Sequence, residues 1–90
     1  MPRITFTSHL ERHVACPSDV VAGDTARAAL DTYLSRHPQV RPYLFDEQGA
    51  LRQHVVIFID GEQARDRRAL ADSVSPDSEI YVMQALSGGS

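Results

Sequence analysis

The sequence predicts a single α+β domain, strands with one main helix packed on one face, and three observations carry that expectation. Runs rich in β-branched and aromatic residues stand near both ends and past the middle, in "RITFTSH", "HVVIFI" and "EIYVMQAL". One stretch, "GDTARAALDTYLSRHP", has helical periodicity instead. The order of hairpin, helix and further strands is that of segregated elements, not of regularly alternating βα units. At 90 residues the chain has material for one compact core.

Taken in order, Ile4 and Phe6 alternate with Thr5 and Thr7, the two-residue period of a half-buried strand. A turn at Leu10 to Arg12 and a return along "HVAC" to Pro17 make residues 3–16 a hairpin. Asp24 or Thr25 can cap the helix by accepting a hydrogen bond from an orphan N–H. Ala26, Ala29, Leu30, Tyr33, Leu34 and His37 then fall on one apolar stripe. Pro38 disfavours helical geometry at His37 and ends the element. Asp46 to Gly49 is turn chemistry between two strands. "HVVIFI" reads as a central strand buried on both faces, and Asp60-Gly61 punctuates its end. Residues 62–78 are polar and expected to be irregular, with one helical turn near Leu70. The last strand turns Ile80 and Val82 inward and runs into "SGGS".

Composition closes off several classes of function. The apolar fraction of 42% and charged fraction of 23% are those of an ordinary globular protein. No apolar run approaches the ~20 residues that span a bilayer, and "MPRITFTSHL" lacks the apolar core of a signal peptide. A soluble, cytoplasmic protein is expected, with no membrane partner. Cys16 is the sole cysteine, which excludes an internal disulfide and any cysteine-only metal or cluster site. A formal net charge of −3 argues against nucleic acid, whose binding rests on neutralising phosphates. All nine basic residues are arginine, so the chain offers no lysine side chain as an acceptor for isopeptide conjugation.

Few side chains suggest chemistry of their own. His9 and His13 flank the expected hairpin turn, and no third ligand is evident beyond Cys16, whereas zinc needs four ligands or three plus water. His37 and His54 read as surface or half-buried residues without chemistry. Cys16, beside Pro17, reads as a small buried hydrophobe. The carboxylate pairs Asp46-Glu47 and Asp77/Glu79 sit in turn-like stretches, not in a cleft that could split their pKa values. Arg65, Arg67 and Arg68 form a short basic cluster, read as a solvated loop paired locally with Asp66 and Asp72, with docking against an acidic partner as the weaker alternative. Nothing assembles a nucleophile, a base and an oxyanion hole, so the chain is not expected to be an enzyme in its own right. The tail stands apart: Gly88-Gly89 directly follows a well-patterned final strand.

"GDTARAALDTYLSRHP", "VVIFIDGE" and "DSEIYVMQALSGG", in this order, resemble the MoaD/ThiS-like sulfur-carrier proteins across roughly residues 3–89. The resemblance implies a ubiquitin-like β-grasp domain, a mixed sheet with one main helix packed on one face, over residues 1–86 and a flexible Gly-Gly tail at 87–90. It also implies that the carboxylate of Gly89 is adenylated by an E1-like enzyme using Mg-ATP, then converted to a thiocarboxylate that hands sulfur to a downstream acceptor enzyme. ATP and magnesium would be bound by that enzyme and no cofactor by this chain. Gly88 and Gly89, lacking Cβ, let the tail thread a narrow channel, with Ala85, Leu86 and Ser87 as lesser partner contacts. A β-grasp ferredoxin is excluded, since its cluster needs four cysteines.

The sequence departs from the family at Gln84-Ala85, where members commonly carry prolines, and at Ser90. One added residue moves the terminal carboxylate by up to ~3.3–3.6 Å, and a misplacement of ~1 Å can cost about 10²-fold in rate. Ser90 is therefore expected to be removed, for which a zinc-dependent, deubiquitinase-like peptidase is the implied partner. A cloning remnant and a permanent residue on a retired carrier stay open beside that reading. The resemblance leaves molybdopterin, thiamine, cysteine and secondary-metabolite pathways open as destinations, and the residue beyond Gly-Gly makes the chain more similar to carriers of the last two types. A protein modifier conjugated through Gly89 and a non-catalytic interaction module are the alternative functions.

Overall fold

A computed structural model describes residues 1–66 and 68–84. Five strands form one sheet: β1 (Arg3–Phe6), β2 (Asp19–Val20), β3 (Val55–Ile59), β4 (Glu62–Gln63) and β5 (Glu79–Gln84). Their order across the sheet is β2-β1-β5-β3-β4. β1 and β5 are parallel, with Ile4 opposite Ile80 and Phe6 opposite Val82. The other pairs are antiparallel. Among the described residues three α-helices accompany the sheet, α1 (Ser8–Glu11), α2 (Ala26–Arg36) and α3 (Arg41–Leu44), with a 3-10 turn at Pro38–Val40 between the last two. A mixed sheet whose parallel central pair is linked through a helix is the β-grasp arrangement that the resemblance implied.

The helix forms as its stripe requires. Ala26, Ala29, Leu30, Tyr33 and Leu34 are all buried, against Ile4, Phe6, Val55, Ile57, Ile80 and Val82 of the sheet in one core. The ring of Tyr33 lies 5.1 Å from that of Phe6. Of the two candidate caps, Thr25 is the one that bonds: its Oγ1 accepts from the N–H of Ala28 at 3.1 Å. Two more orphan N–H groups, of Ala26 and Arg27, donate to the carbonyls of Asp72 and Leu70 at 2.9 Å, so a distant loop completes the helix start. Tyr33 donates its hydroxyl proton to the carbonyl of Pro17 at 2.7 Å; burial, then the charges of Cys16 and Asp19, hold its ionisation well above the usual phenol range.

Four expectations need correction. Residues 3–16 are not a hairpin: after Phe6 the chain makes the helical turn α1, which buries Leu10. The strand antiparallel to β1 is Asp19–Val20, beyond Pro17. Second, "HVVIFI" alternates. Val55 and Ile57 are buried while Val56 and Phe58 are half-buried on the face away from α2, and the centre of the sheet is β5. Third, the segment before the Asp46–Gly49 turn is helix α3; beyond it only an isolated bridge joins Phe45 to Leu51. Fourth, Glu62–Gln63 form a strand, made by the Asp60-Gly61 hairpin turn, whose φ angles of +53° and +85° suit a two-residue primed turn. The expected helical turn near Leu70 is present, closed by its N–H donating to the carbonyl of Asp66 at 3.1 Å, and Leu70 is fully buried.

Candidate functional site

The site read from the sequence is the end of β5 together with the residues beyond it. β5 is held on both sides, by β1 through Phe6–Val82 and by β3 through Val55–Gln84. Its alternation places Ile80 and Val82 in the core and Tyr81 and Met83 on the open face. The N–H of Thr7 extends the parallel ladder by donating to the carbonyl of Val82 at 3.2 Å. Gln84 thus leaves the domain from the middle of the sheet, between the end of β1 and the start of β3. Ala85, Leu86, Ser87, Gly88, Gly89 and Ser90 lie outside the described residues, as does the boundary expected at residue 86. Among the described residues, two buried side-chain oxygens lack a hydrogen-bond partner, Thr7 Oγ1 and Gln84 Oε1, and both border this point of exit.

The start of β5 is fixed by residues that the sequence reading did not single out for this role. Asp60 Oδ1 accepts from the N–H of Glu79 and Oδ2 from the hydroxyl of Ser78, each at 2.9 Å. The N–H of Asp60 donates to the carbonyl of Glu79 at 2.9 Å as well. Ser78 is buried and in turn accepts from the N–H of Ser75 at 2.9 Å. The "DGE" segment therefore ties the β3–β4 hairpin onto the first residues of the tail-bearing strand. Between this tie and Met83 the open face holds a groove of about 510 Å³, lined by Thr5, Phe58, Asp60, Glu79, Tyr81 and Met83 among others. Tyr81 is 39% exposed there.

The other candidate residues are dispersed. His9 and His13 stack edge to face at 5.2 Å, and among the described residues no three metal-ligating side chains gather. Cys16 is buried at 4% exposure, and burial, followed by the nearby Glu11, pushes its thiol up. His37 is half-buried with Nε2 3.2 Å from Asp19 Oδ2; this contact, with lesser help from the N–H of Val20 and from Arg36, lowers the Asp19 carboxyl. Asp46 closes its turn by accepting from the N–H groups of Gln48 and Ala50. Among the described residues, Asp66 and Asp72 bond to backbone N–H groups and do not make the expected ion pair with the side chains of Arg65 or Arg68. Asp72 accepts from the backbone N–H groups of Arg65 and Asp66, and Asp66 from those of Arg68 and Ala69. Backbone donors hold both carboxyls below the ordinary range. Arg67 lies outside the described residues.

No protein-family model matches the chain. Small archaeal modifier protein 1 of Haloferax volcanii is 30% identical over 71 residues, which cover 79% of this chain and 77% of that protein. The chain belongs to the ubiquitin-fold sulfur carriers of the MoaD/ThiS type. The crystal structure of the Haloferax volcanii protein matches this carrier with a TM-score of 0.78 at 25% identity, covering 98% of both chains. A chain of the Amycolatopsis orientalis BexX/CysO complex shares its fold, with a TM-score of 0.81 at 21% identity over 99% of this chain and all of that one. Among the carrier's described residues no helix is long and apolar enough to cross a membrane.

Proposed function

We propose that this carrier is loaded with sulfur at Gly89. The observation that supports the reading is the position of Gly88-Gly89, a few residues beyond the doubly paired central strand of a ubiquitin-type sheet, in a chain of this family. An E1-like enzyme transfers AMP from Mg-ATP to the Gly89 carboxylate and releases pyrophosphate. Sulfide or an enzyme persulfide attacks the acyl carbon, the C–O bond to AMP breaks, and a thiocarboxylate results once the persulfide's S–S bond is cleaved by a thiol. ATP and magnesium belong to that enzyme. The thiocarboxylate passes its sulfur to a downstream acceptor enzyme in cofactor, cysteine or secondary-metabolite biosynthesis, in the cytoplasm.

Ser90 must first be removed, because the carboxylate it carries stands up to ~3.3–3.6 Å too far along the chain, and a zinc-dependent peptidase is assigned that step. An enzyme taking residues 85–89 approaches over the end of β5, where Tyr81 and Met83 face outward. Intact mass spectrometry of untagged chain from its native host tests the whole reading. Loss of a seryl residue, with one oxygen exchanged for sulfur in part of the sample, is the expected result. Retention of Ser90 throughout, with no sulfur gained beside a matching adenylating enzyme and peptidase, would overturn it in favour of an inert interaction module.

The name of the Haloferax volcanii relative favours a second reading, that of a protein modifier. The same activated carbonyl, attacked by a target lysine amine, gives an isopeptide bond. A ladder of higher-mass adducts in extract, without free thiocarboxylate, would select it.

A further inference from the structure

We infer that the folded body of this carrier offers no side-chain acceptor for its own activated terminus, so that branched chains of the carrier do not form and the acyl group goes to acceptors other than its own side chains. The inference rests on the reading of Gly89 as an acyl donor and concerns what that donor can attack. An acyl adenylate reacts with amines and thiolates. With an amine, the new C–N bond forms, the C–O bond to AMP breaks, and the amine proton passes to solvent. Other copies of the carrier are among the nucleophiles that such a donor can meet.

Three features remove those acceptors. The chain has no lysine, and its nine basic side chains are guanidinium groups, which stay protonated at any pH the fold meets and do not attack carbonyls. Its one thiol is Cys16, 4% exposed within the core; the thiolate is the reacting form, and burial opposes it. The four histidines can take an acyl group only in passing, because acyl imidazoles hydrolyse. The amine that remains is the α-amino group of Met1, which donates to the carbonyl of Pro76 at 2.9 Å. It sits close to Arg3, which is opposite Glu79 at the start of β5. At ~3.3 Å per residue the far end of that strand, where the tail leaves, is ~17 Å away. An α-amine acceptor gives a linear link at most, never a branch.

The test installs the thiocarboxylate chemically on a chain ending at Gly89, by cleaving an intein fusion with sulfide. An aromatic disulfide then converts it to the acyl aryl disulfide, releasing an aryl thiolate. An amine attacks the acyl carbon and expels aryl persulfide, whereas a thiolate attacks the sulfur bonded to the acyl carbon and forms an acyl–cysteinyl disulfide with loss of aryl thiolate. Acylation is followed in concentrated native protein and with excess Nα-acetyl-lysine, and digestion with mass spectrometry locates every linkage. Arg12→Lys and Ala15→Cys place an amine and a thiol at exposed positions, the second beside buried Cys16. The expected result is acylated acetyl-lysine in every case, native wild-type linkages confined to Met1, and linkages at positions 12 and 15 in the variants. In urea, Cys16 of the wild type joins the acceptors. Native wild-type linkage at Cys16 or another body residue, in yield comparable to the variants, would overturn the inference. Absence of acylated acetyl-lysine throughout would overturn the acyl-donor chemistry on which it rests. Because the thioacid is installed without an enzyme, failure of an adenylating enzyme to load Gly89 would count against the carrier reading and leave these linkages unchanged.

Discussion

Gly23→Ala is the substitution that most directly tests how the helix is seated on the sheet. Gly23 has φ +155°, and a Cβ there would stand 2.5 Å from the nitrogen of Ala29, 2.7 Å from its Cα and 3.0 Å from the carbonyl carbon of Ala28. These are backbone atoms of α2, and the Ala29 N–H is committed to the carbonyl of Thr25 at 3.0 Å. The helix cannot retreat without loosening its first turn. Overpacking of this kind costs ~1–3 kcal/mol, and a side chain at positive φ adds ~1–2 kcal/mol, together ~2–5 kcal/mol. A domain of this size has about 5–13 kcal/mol in all, so Tm should fall by roughly 10–30 °C. Urea unfolding followed by circular dichroism gives the free energy directly. Gly49→Ala is the control: φ is +81° there, but nothing lies within 4 Å of the added Cβ, so only the ~1–2 kcal/mol of backbone strain applies. If Gly23→Ala loses no more than Gly49→Ala, the close approach of this loop to α2 is not what the geometry says.

Three further perturbations act on single contacts or on the tail. Tyr33→Phe leaves the carbonyl of Pro17 without its donor and should cost ~1–2 kcal/mol by urea unfolding. The folded-state ionisation of Tyr33 is raised, so its contribution is complete below the unfolded phenol value of ~10 and lost as pH rises past it; alkaline melting should be steeper in the wild type than in Tyr33→Phe. Asp66 and Asp72 are lowered by backbone donors, so their contribution is present above the unfolded carboxyl value of ~3.9 and lost as pH falls through the folded values. Melting temperatures measured across the acid range should therefore fall less steeply for Asp72→Asn than for the wild type. Gly88→Val should leave Tm unchanged and reduce adenylation by about 10²-fold or more, since a displaced carboxylate cannot reach the nucleotide; a fully adenylated variant would refute the threading role of the tail.

Legibility in the sequence tracked the strength of periodicity. α2 was readable because Ala26, Ala29, Leu30, Tyr33 and Leu34 repeat at helical spacing and Pro38 marks the stop. β5 was readable because Ile80 and Val82 alternate with Glu79 and Tyr81. β4 was not, because Glu62 and Gln63 carry no apolar signal and are a strand only through the hairpin turn that precedes them. β2 was misplaced for a related reason: a two-residue edge strand has too little pattern to compete with the "HVAC" run, whose Cys16 is buried without any strand pairing. The "HVVIFI" run misled because an apolar sequence does not distinguish a strand covered twice from one with an open face. The helix-completing carbonyls of Leu70 and Asp72 belong to long-range packing that local sequence does not encode. For the site, the terminal glycines were visible as sequence, whereas the tie of Asp60 and Ser78 to the start of β5 needed the fold.

The double pairing of β5 has a mechanical meaning. A tail drawn into a partner's channel pulls along the axis of this strand. Force in that direction shears the β1 and β3 ladders together, loading their hydrogen bonds side by side instead of opening them one after another. An edge strand such as β2 could be peeled away bond by bond under the same tug. Because β5 is paired on both sides, a pull on the residues beyond Gln84 is resisted by two ladders at once.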